Sequence, residues 1–188
     1  MTIYPSIIKG SVKISGSKNA SLPIIAASLV TSKNTILKNV PKIMDIENYL
    51  KILKRIDCSY KFKNNKLNII STPKKVDLLF EEIKSIRASY YLMSVFLILF
   101  GKVNISYPGG CSIGSRPIDF HLEGFKAAGC EVSCDDKMVS IITKNLKPFI
   151  YKMPKKSLGA TVNLMILASK IEGRSIIENA STEPELMI

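Results

Sequence analysis

The residues best suited to chemistry lie in one stretch, YPGGCSIGSRPIDFHLEG, between Tyr107 and Gly124. Cys111 follows two glycines, Arg116 comes five residues later, and His121 is the only histidine of the chain. A proline and paired glycines interrupt helices and strands, so Cys111 is expected on a loop. A nearby guanidinium stabilises a thiolate, which lowers the thiol pKa and makes the cysteine a proton donor or nucleophile near neutral pH. From the spacing alone, a glycine-rich turn around a buried, inert cysteine is the favoured interpretation.

The residues after this loop predict a helix over residues 117–128, ended by Gly129. A helix N-terminus beside an arginine is a natural site for an anion. The most apolar stretch, residues 92–100 (LMSVFLILF), is too short to span a membrane and predicts a buried helix. No longer apolar run occurs, so a membrane partner is not expected.

The composition limits the classes of protein that fit. A length of 188 residues suits one domain or slightly more. The N-terminus lacks the features of a signal peptide, and Cys58, Cys111, Cys130 and Cys134 show no disulfide spacing, so a cytoplasmic, reduced protein is expected. A metal site at Cys130 and Cys134 is disfavoured because the chain has one histidine and no second cysteine pair.

The formal net charge of +12 is high for this length. The lysines are spread along the chain and do not form one stripe with aromatics between them, which indicates compositional drift more than a nucleic-acid footprint. An anionic substrate would still be attracted. The charge alone does not choose between a nucleic acid and an anionic substrate.

Three segments of the chain resemble one another: residues 19–41, 87–108 and 159–180. Each has a helix entry of small residues, an apolar helix, a short turn and a strand of alternating pattern. A spacing of about 70 residues exceeds solenoid periods and indicates whole α/β subdomains around a pseudo-symmetry axis. The predicted units cover about residues 10–72, 73–143 and 144–188. The first two are expected to have the order β-α-β-α-β-β and the third to be incomplete, and the apolar helices are expected to pack together inside a ring of sheets.

Further elements complete the first two units. Asp45 is expected to be the N-cap of a helix over the residues that follow it. Strands are predicted at 58–63 and 66–70, joined by a tight turn at Asn64-Asn65, and at 131–134 and 138–142. The third unit stops at residue 188, where its second helix should begin, so the chain is expected to be a fragment of a longer protein.

Four motifs occur in a fixed order: SGSKNASLP (15–23), PGGCSIGSRPIDFH (108–121), SLGAT (157–161) and IENASTEPE (177–185). In that order and register they resemble the UDP-N-acetylglucosamine 1-carboxyvinyltransferase family, over essentially the whole chain from Gly10 onward. EPSP synthase shares the fold but lacks this Lys-Asn pair and this cysteine loop. The resemblance implies an α/β fold, the inside-out α/β barrel of the enolpyruvyl transferases, and here a single truncated domain over residues 1–188.

The family transfers the enolpyruvyl group of phosphoenolpyruvate to the 3-hydroxyl of UDP-N-acetylglucosamine and releases phosphate, at the start of peptidoglycan precursor synthesis. The resemblance therefore implies a transferase that serves cell-wall synthesis, cell shape and cell division. It implies these two substrates as partners, no nucleic acid, and neither a metal nor an organic cofactor.

The resemblance also implies site residues. Cys111 matches the loop cysteine that protonates the methylene carbon of phosphoenolpyruvate, can hold a covalent adduct and is the target of fosfomycin. Lys18 and Asn19 match residues that contact phosphoenolpyruvate and the sugar, and Arg87 and Arg116 match arginines that face anionic groups. Two stretches match residues along the nucleotide: Arg116, Pro117, Ile118, Asp119 and Phe120, and then Lys155, Lys156, Ser157, Leu158 and Gly159. His121 matches a histidine close to the site. Read singly, these could be solvated cations, turns and helix caps; their common order and register favour the functional reading.

Ser17, Ser112, Ser115 and Phe120 depart mildly from the family pattern. The larger departure is the family's second domain, which is thought to supply a carboxylate that acts on the sugar hydroxyl and which has no counterpart in the sequence. The chain alone is therefore expected to be inactive, which leaves room for a complementary second-half chain as a partner. The alternatives are a non-catalytic remnant that binds a UDP-sugar weakly and a basic nucleic-acid-binding module.

Overall fold

The computed structural model describes residues 7, 9–31, 34–75, 77–79, 81–107 and 118–186. Cys111, Arg116 and Pro117 lie outside these ranges. The helices of the described part are α1 (Lys18–Ser28), α2 (Met44–Arg55), α3 (Glu81–Lys84), α4 (Tyr91–Phe100), α5 (Asp119–Ala127) and α6 (Leu158–Ala168), with short 3-10 helices at Arg87–Tyr90 and Pro184–Leu186. The strands are β1 (Thr35–Leu37), β2 (Tyr60–Lys63), β3 (Lys66–Ile69), β4 (Asp77–Leu78), β5 (Lys102–Ser106), β6 (Glu131–Cys134), β7 (Met138–Ile142), β8 (Ile150–Lys152) and β9 (Ile176–Glu178).

The strands of the described residues form three sheets. The first has the order β1-β3-β2 and is antiparallel throughout. The second has the order β4-β5-β7-β6, with β4 and β5 parallel and the other pairs antiparallel. The third pairs β8 with β9 in parallel. Parallel neighbours need a crossover, and the helical segments between β4 and β5 and between β8 and β9 provide it.

Three apolar helices form the centre of the core. Helix α4 buries Leu92 to Leu97 without interruption, and it packs against both α1 and α6. A helix that is apolar on every side is stable only when other elements surround it. The prediction of a buried helix at residues 92–100 is confirmed, with α4 beginning one residue earlier. Within the described ranges, none of the helices combines the length and the apolar content that crossing a membrane requires.

Both predicted hairpins are present. Asn64 and Asn65 connect β2 to β3 with φ angles of 51° and 56°. Two successive residues at positive φ form a two-residue turn whose twist matches that of the strands it joins. Asparagine tolerates positive φ better than most residues. Strands β6 and β7 have the predicted bounds. Gly129, at φ +91°, follows the end of α5 as expected.

The prediction that Asp45 caps a helix is wrong. Helix α2 begins at Met44, the extended residue before it is Ile43, and no side chain caps this end. Asp45 lies in the first turn, where a carboxylate is favourable beside the helix dipole. A second difference concerns residues 11–17, which contain neither helix nor strand, so the described part of the first unit has the order α-β-α-β-β.

Helices α5 and α6 approach closely because of a glycine. A Cβ placed on Gly124 would lie 2.5 Å from both methyl carbons of Leu164, which is closer than real Cβ atoms come to their neighbours. The absence of a side chain at this position therefore lets the two helices pack in direct contact. The contact brings the first turn of α5 next to the middle of α6.

Candidate functional site

A cavity of about 740 Å³ contains most of the predicted site residues that the structure describes. Its walls come from the start of α1, the first turn of α2, residues 85–91, the first turn of α5 and the start of α6. The predicted residues that line it are Lys18, Asn19, Arg87, His121, Lys156, Ser157, Leu158 and Gly159. The volume suits a small-molecule ligand, and the four regions that supply these residues are far apart in sequence.

The start of α1 brings Lys18 and Asn19 to this cavity. The hydroxyl of Ser17 caps the helix by accepting a hydrogen bond, 3.3 Å long, from the N–H three residues later. Gly16 lies against the backbone after β1, and a Cβ placed there would overlap the carbonyl oxygen of Asn39. A glycine is required at such a close approach. The cap and the contact together fix where the first turn of α1 begins.

Lys18 forms an ion pair across the cavity rim. Its Nζ lies 2.7 Å from Oδ2 of Asp45, which also lines the cavity. The two side chains are 47% and 38% exposed, so water screens the pair and its contribution to stability is at most about 1 kcal/mol. The ammonium is held in place, yet a stronger anion could compete with the carboxylate for it.

A proline lies inside α1 on the same wall of the cavity. Pro23 has no N–H, so it cannot donate the helical hydrogen bond that would otherwise end on the carbonyl of Asn19. Both residues line the cavity. The first turn of α1, which carries Lys18, is therefore joined to the rest of the helix by one backbone hydrogen bond fewer than in a regular helix.

Arg87 supplies a second cation. It begins the 3-10 helix Arg87–Tyr90, is half-buried, and its guanidinium carbon lies 5.7 Å from the ring centroid of Tyr90. Burial raises the pKa of Tyr90 to about 12, against the opposing effect of the Arg87 charge. Burial also raises the pKa of Tyr91, again with Arg87 opposing. Both tyrosines line the cavity as neutral phenols beside a fixed positive charge.

His121 is buried, with 4% of its surface exposed. Burial, and next the positive charge of Arg87, lower the pKa of its imidazole from 6.5 to about 3. The ring is therefore neutral near neutral pH. Its centroid lies 5.6 Å from that of Tyr90, and its Nδ1 is 2.9 Å from Nδ2 of Asn163.

The start of α6 repeats the arrangement at the start of α1. Ser157 caps α6 by accepting a hydrogen bond, 3.3 Å long, from the N–H of Ala160. Lys156 comes just before the cap and Gly159 lies in the first turn, and both line the cavity. The free N–H groups of two helix N-termini and the charges of two lysines therefore meet at one cavity, which favours an anionic ligand.

The remaining predicted residues that the structure describes do not line this cavity. Lys155 is exposed, Ile118 is buried in the core at 6% exposure, Asp119 is exposed, and Phe120 is half-buried. Cys111, Arg116 and Pro117 lie outside the described residues. In the part of the chain that is described, no group of three or more His, Cys, Asp or Glu residues could hold a metal ion.

Several residues of the cavity were not predicted from the sequence: Asp45 as the partner of Lys18, and Leu22, Pro23, Tyr90 and Tyr91 as lining residues. Asn163, which contacts His121, was not predicted either. A buried asparagine in the apolar run VNLMILA was the available signal, since buried amides need hydrogen-bond partners.

Comparison with known proteins connects this geometry to a family. The model of the EPSP synthase (3-phosphoshikimate 1-carboxyvinyltransferase) family matches residues 4–188. A UDP-N-acetylglucosamine 1-carboxyvinyltransferase of Halothermothrix orenii is 40% identical over 181 residues, which are 96% of this chain and 44% of that relative. The chain spans less than half the length of the curated relatives that it matches first.

Solved structures resemble the fold. The enolpyruvyl transferase NikO from Streptomyces tendae matches with a TM-score of 0.78 at 16% identity, over 95% of this chain and 42% of that one. An EPSP synthase from Acinetobacter baumannii matches with a TM-score of 0.70 at 17% identity, with the same coverage of 95% and 42%. These likenesses confirm the predicted enolpyruvyl transferase fold, the inside-out α/β barrel. With its α/β elements in this arrangement and its sequence matched from residue 4 to residue 188, the chain belongs to the EPSP synthase family of enolpyruvyl transferases.

Proposed function

We propose that this chain provides the substrate-binding part of an enzyme that transfers the enolpyruvyl group of phosphoenolpyruvate to the 3-hydroxyl of UDP-N-acetylglucosamine. The observation that carries the proposal is the convergence of Lys18, Arg87 and Lys156 with two capped helix N-termini on one cavity. Both substrates carry several negative charges, which such a cavity favours. The 40% identical relatives bear the name of this activity.

The cavity separates its charged and neutral groups in a way that suits these substrates. Lys18 and Arg87 are cations that can hold a phosphate or a carboxylate, and Arg87 can do so with two parallel hydrogen bonds. His121 and the two tyrosines stay uncharged near neutral pH and suit hydroxyl and amide groups of a sugar. Fixed positive charge of this kind stabilises the negative charge that develops as phosphate leaves.

In this proposal Cys111 supplies the proton for the methylene carbon of phosphoenolpyruvate. The sugar hydroxyl loses its proton as its oxygen forms a bond to the adjacent carbon. The methylene carbon later returns a proton to the thiolate, and phosphate leaves with the electrons of its C–O bond, so that in the net reaction the hydroxyl proton ends on the released phosphate. A thiol whose pKa is lowered by cations can give and take this proton near neutral pH. The net reaction consumes one molecule of each substrate and yields the enolpyruvyl ether and phosphate.

Calorimetric titration of the chain with UDP-N-acetylglucosamine, with and without phosphoenolpyruvate, tests the binding. We expect Lys18→Gln and Arg87→Gln each to weaken binding about tenfold or more, because each removes a charge-assisted hydrogen bond. Lys152→Gln is the matched control, since Lys152 is exposed and does not line the cavity.

A failure to bind UDP-N-acetylglucosamine, or equal losses in Lys18→Gln and Lys152→Gln, would contradict the proposal. Phosphate released from phosphoenolpyruvate in the same samples reports turnover. Release that Cys111→Ala abolishes supports the full reaction, whereas binding without release shows that this chain carries the binding part only.

A further inference from the structure

The amide of Asn163 lies at the centre of a buried hydrogen-bond network beside the cavity. Asn163 is fully buried in the middle of α6, and Ser94 is fully buried in α4. The Nδ2 atom of Asn163 lies 2.7 Å from the backbone carbonyl of Tyr90 and 2.9 Å from Nδ1 of His121. The Ser94 hydroxyl lies 2.6 Å from Oδ1 of the same amide.

Two backbone groups determine which way the amide points. The Tyr90 carbonyl can only accept a hydrogen bond, so the Asn163 atom 2.7 Å from it must be the NH₂ group. The backbone N–H of Ser94 can only donate, and it points at the other end of the amide, 3.4 Å away, which must be the oxygen. A flipped amide would face donor to donor and acceptor to acceptor in a buried site, which is costly.

This orientation decides the protonation of the histidine ring. The NH₂ group has two hydrogens, one directed to the Tyr90 carbonyl and the other to Nδ1 of His121. Nδ1 must then accept and carry no hydrogen. Because the ring is neutral, its single hydrogen is on Nε2.

The Nε2 atom faces the start of α6. A Cβ placed on Gly159 would lie 3.3 Å from it, which is tighter than almost all real Cβ contacts. Gly159 and His121 both line the cavity. Among the described residues, Asn163 is the one hydrogen-bond partner found for the His121 ring, and it contacts Nδ1. A glycine at 159 therefore leaves room at the nitrogen that carries the hydrogen.

We infer that Asn163 is a positioning residue that fixes His121 as the Nε2–H tautomer, so that the ring presents a permanent hydrogen-bond donor to the cavity. The donor recognises an acceptor oxygen of the ligand, such as a hydroxyl or carbonyl oxygen of a sugar nucleotide. A neutral donor of this kind adds direction where the lysines and Arg87 add charge. The tautomer itself follows from the hydrogen bonds, whereas the role toward the sugar nucleotide rests on the proposed function.

The tautomer can be measured directly, because His121 is the only histidine of the chain. Nitrogen-15 NMR of histidine-labelled protein at neutral pH separates the protonated and unprotonated ring nitrogens by their chemical shifts. We expect Nδ1 to have the shift of an unprotonated nitrogen and Nε2 that of a protonated one. The reverse pattern, or an average of the two, would overturn the inference, and this measurement needs neither a variant nor a ligand.

Variants then test the cause. In Asn163→Asp a carboxylate replaces the donor and can only accept, so the hydrogen is expected on Nδ1. Thr161→Val is the matched control on the same helix, because Thr161 is equally buried and accepts a hydrogen bond from the N–H of Ser181, at 2.9 Å. An unchanged tautomer in a folded Asn163→Asp protein would overturn the inference. If that protein does not fold, Asn163→Ala, which removes the donor to Nδ1 of His121, is expected to give a mixture of tautomers, and an unmixed Nε2–H ring would then count against the inference.

Titration with UDP-N-acetylglucosamine tests the role of the donor. Asn163→Asp and Asn163→Ala are expected to weaken binding about three- to tenfold, while Thr161→Val leaves it unchanged. A changed tautomer with unchanged affinity would show that the donor does not contact this ligand. The absence of binding in every protein, including the unsubstituted chain, would instead contradict the proposed function and leave the tautomer result standing.

Discussion

Lys18 and Asp45 face each other across the rim of the cavity, with 2.7 Å between Nζ and Oδ2. One residue begins α1 and the other lies in the first turn of α2, so the pair joins two helices that also pack together. The carboxylate offsets part of the positive charge that the lysine brings to the cavity. An arriving phosphate therefore competes with Asp45 for the ammonium.

Removing that competitor should tighten the binding of anions. We expect Asp45→Asn to raise the affinity for phosphoenolpyruvate about two- to fivefold, because a partly exposed ion pair contributes at most about 1 kcal/mol. Calorimetric titration measures the change. Glu47→Gln is the matched control, since Glu47 lies in the same first turn but does not line the cavity. An equal gain in both variants would show that only the general charge of the protein matters.

Arg87 should affect the acidity of the buried histidine. Its positive charge is the second cause, after burial, of the low pKa of His121. Arg87→Gln is therefore expected to raise that pKa while leaving it below 6.5, because burial still disfavours the charged ring. NMR titration of the single imidazole measures it. Arg174→Gln, which changes an exposed arginine outside the cavity, should leave the pKa where it is.

The same histidine should make the protein less stable in mild acid. Its pKa is lowered from 6.5 to about 3 on folding, so between these values the unfolded chain binds one proton more than the folded chain. The free energy of unfolding should therefore fall as the pH drops below about 6.5, by up to about 1.4 kcal/mol for each pH unit. Denaturant unfolding at several pH values from about 7 to about 5 measures this slope, before most carboxylates titrate. In His121→Gln the free energy of unfolding should no longer depend on pH in this range. If the dependence persists in that variant, other groups cause it.

The four cysteines should differ in reactivity. Burial raises the pKa of Cys58 and of Cys130 to about 11, so few of these thiols are ionised near neutral pH. We expect an epoxide reagent to label Cys111 first, as the proposed function requires, and Cys134, which is exposed, more slowly. Mass spectrometry of the labelled protein locates the adduct, and Cys111→Ala should remove the fast phase. Similar labelling rates at all four cysteines would contradict a specially acidic Cys111.

The elements of the fold could be predicted where the local pattern decides them. The run at residues 92–100 has no polar side to expose, so it could only be a buried helix, and Asn64-Asn65 between two alternating stretches could only be a tight turn. The end of a helix is a weaker signal. Asp45 was the obvious cap by residue type, but α2 begins one residue before it, and the carboxylate pairs with Lys18 on another helix. Nothing in the local sequence encodes that distant partner.

The candidate site could be predicted from its motifs only in part. The order of SGSKNASLP and SLGAT singled out Lys18 and Ser157. In the structure Ser17 caps α1 and Ser157 caps α6, and the starts of both helices line the cavity. The neighbours that complete the site come from packing. Tyr90 and Asn163 reach His121 because α4, α5 and α6 meet in the core, and the close approach at Gly124 depends on the position of a leucine on the other helix.

Pro23 has a consequence for how firmly the first turn of α1 is held. A proline carries no N–H, so α1 has one backbone hydrogen bond fewer where its first turn joins the rest of the helix. Lys18 is the first residue of that turn. Because a helix bends most easily where its regular hydrogen bonds are interrupted, this turn can adjust the position of the ammonium when a ligand arrives.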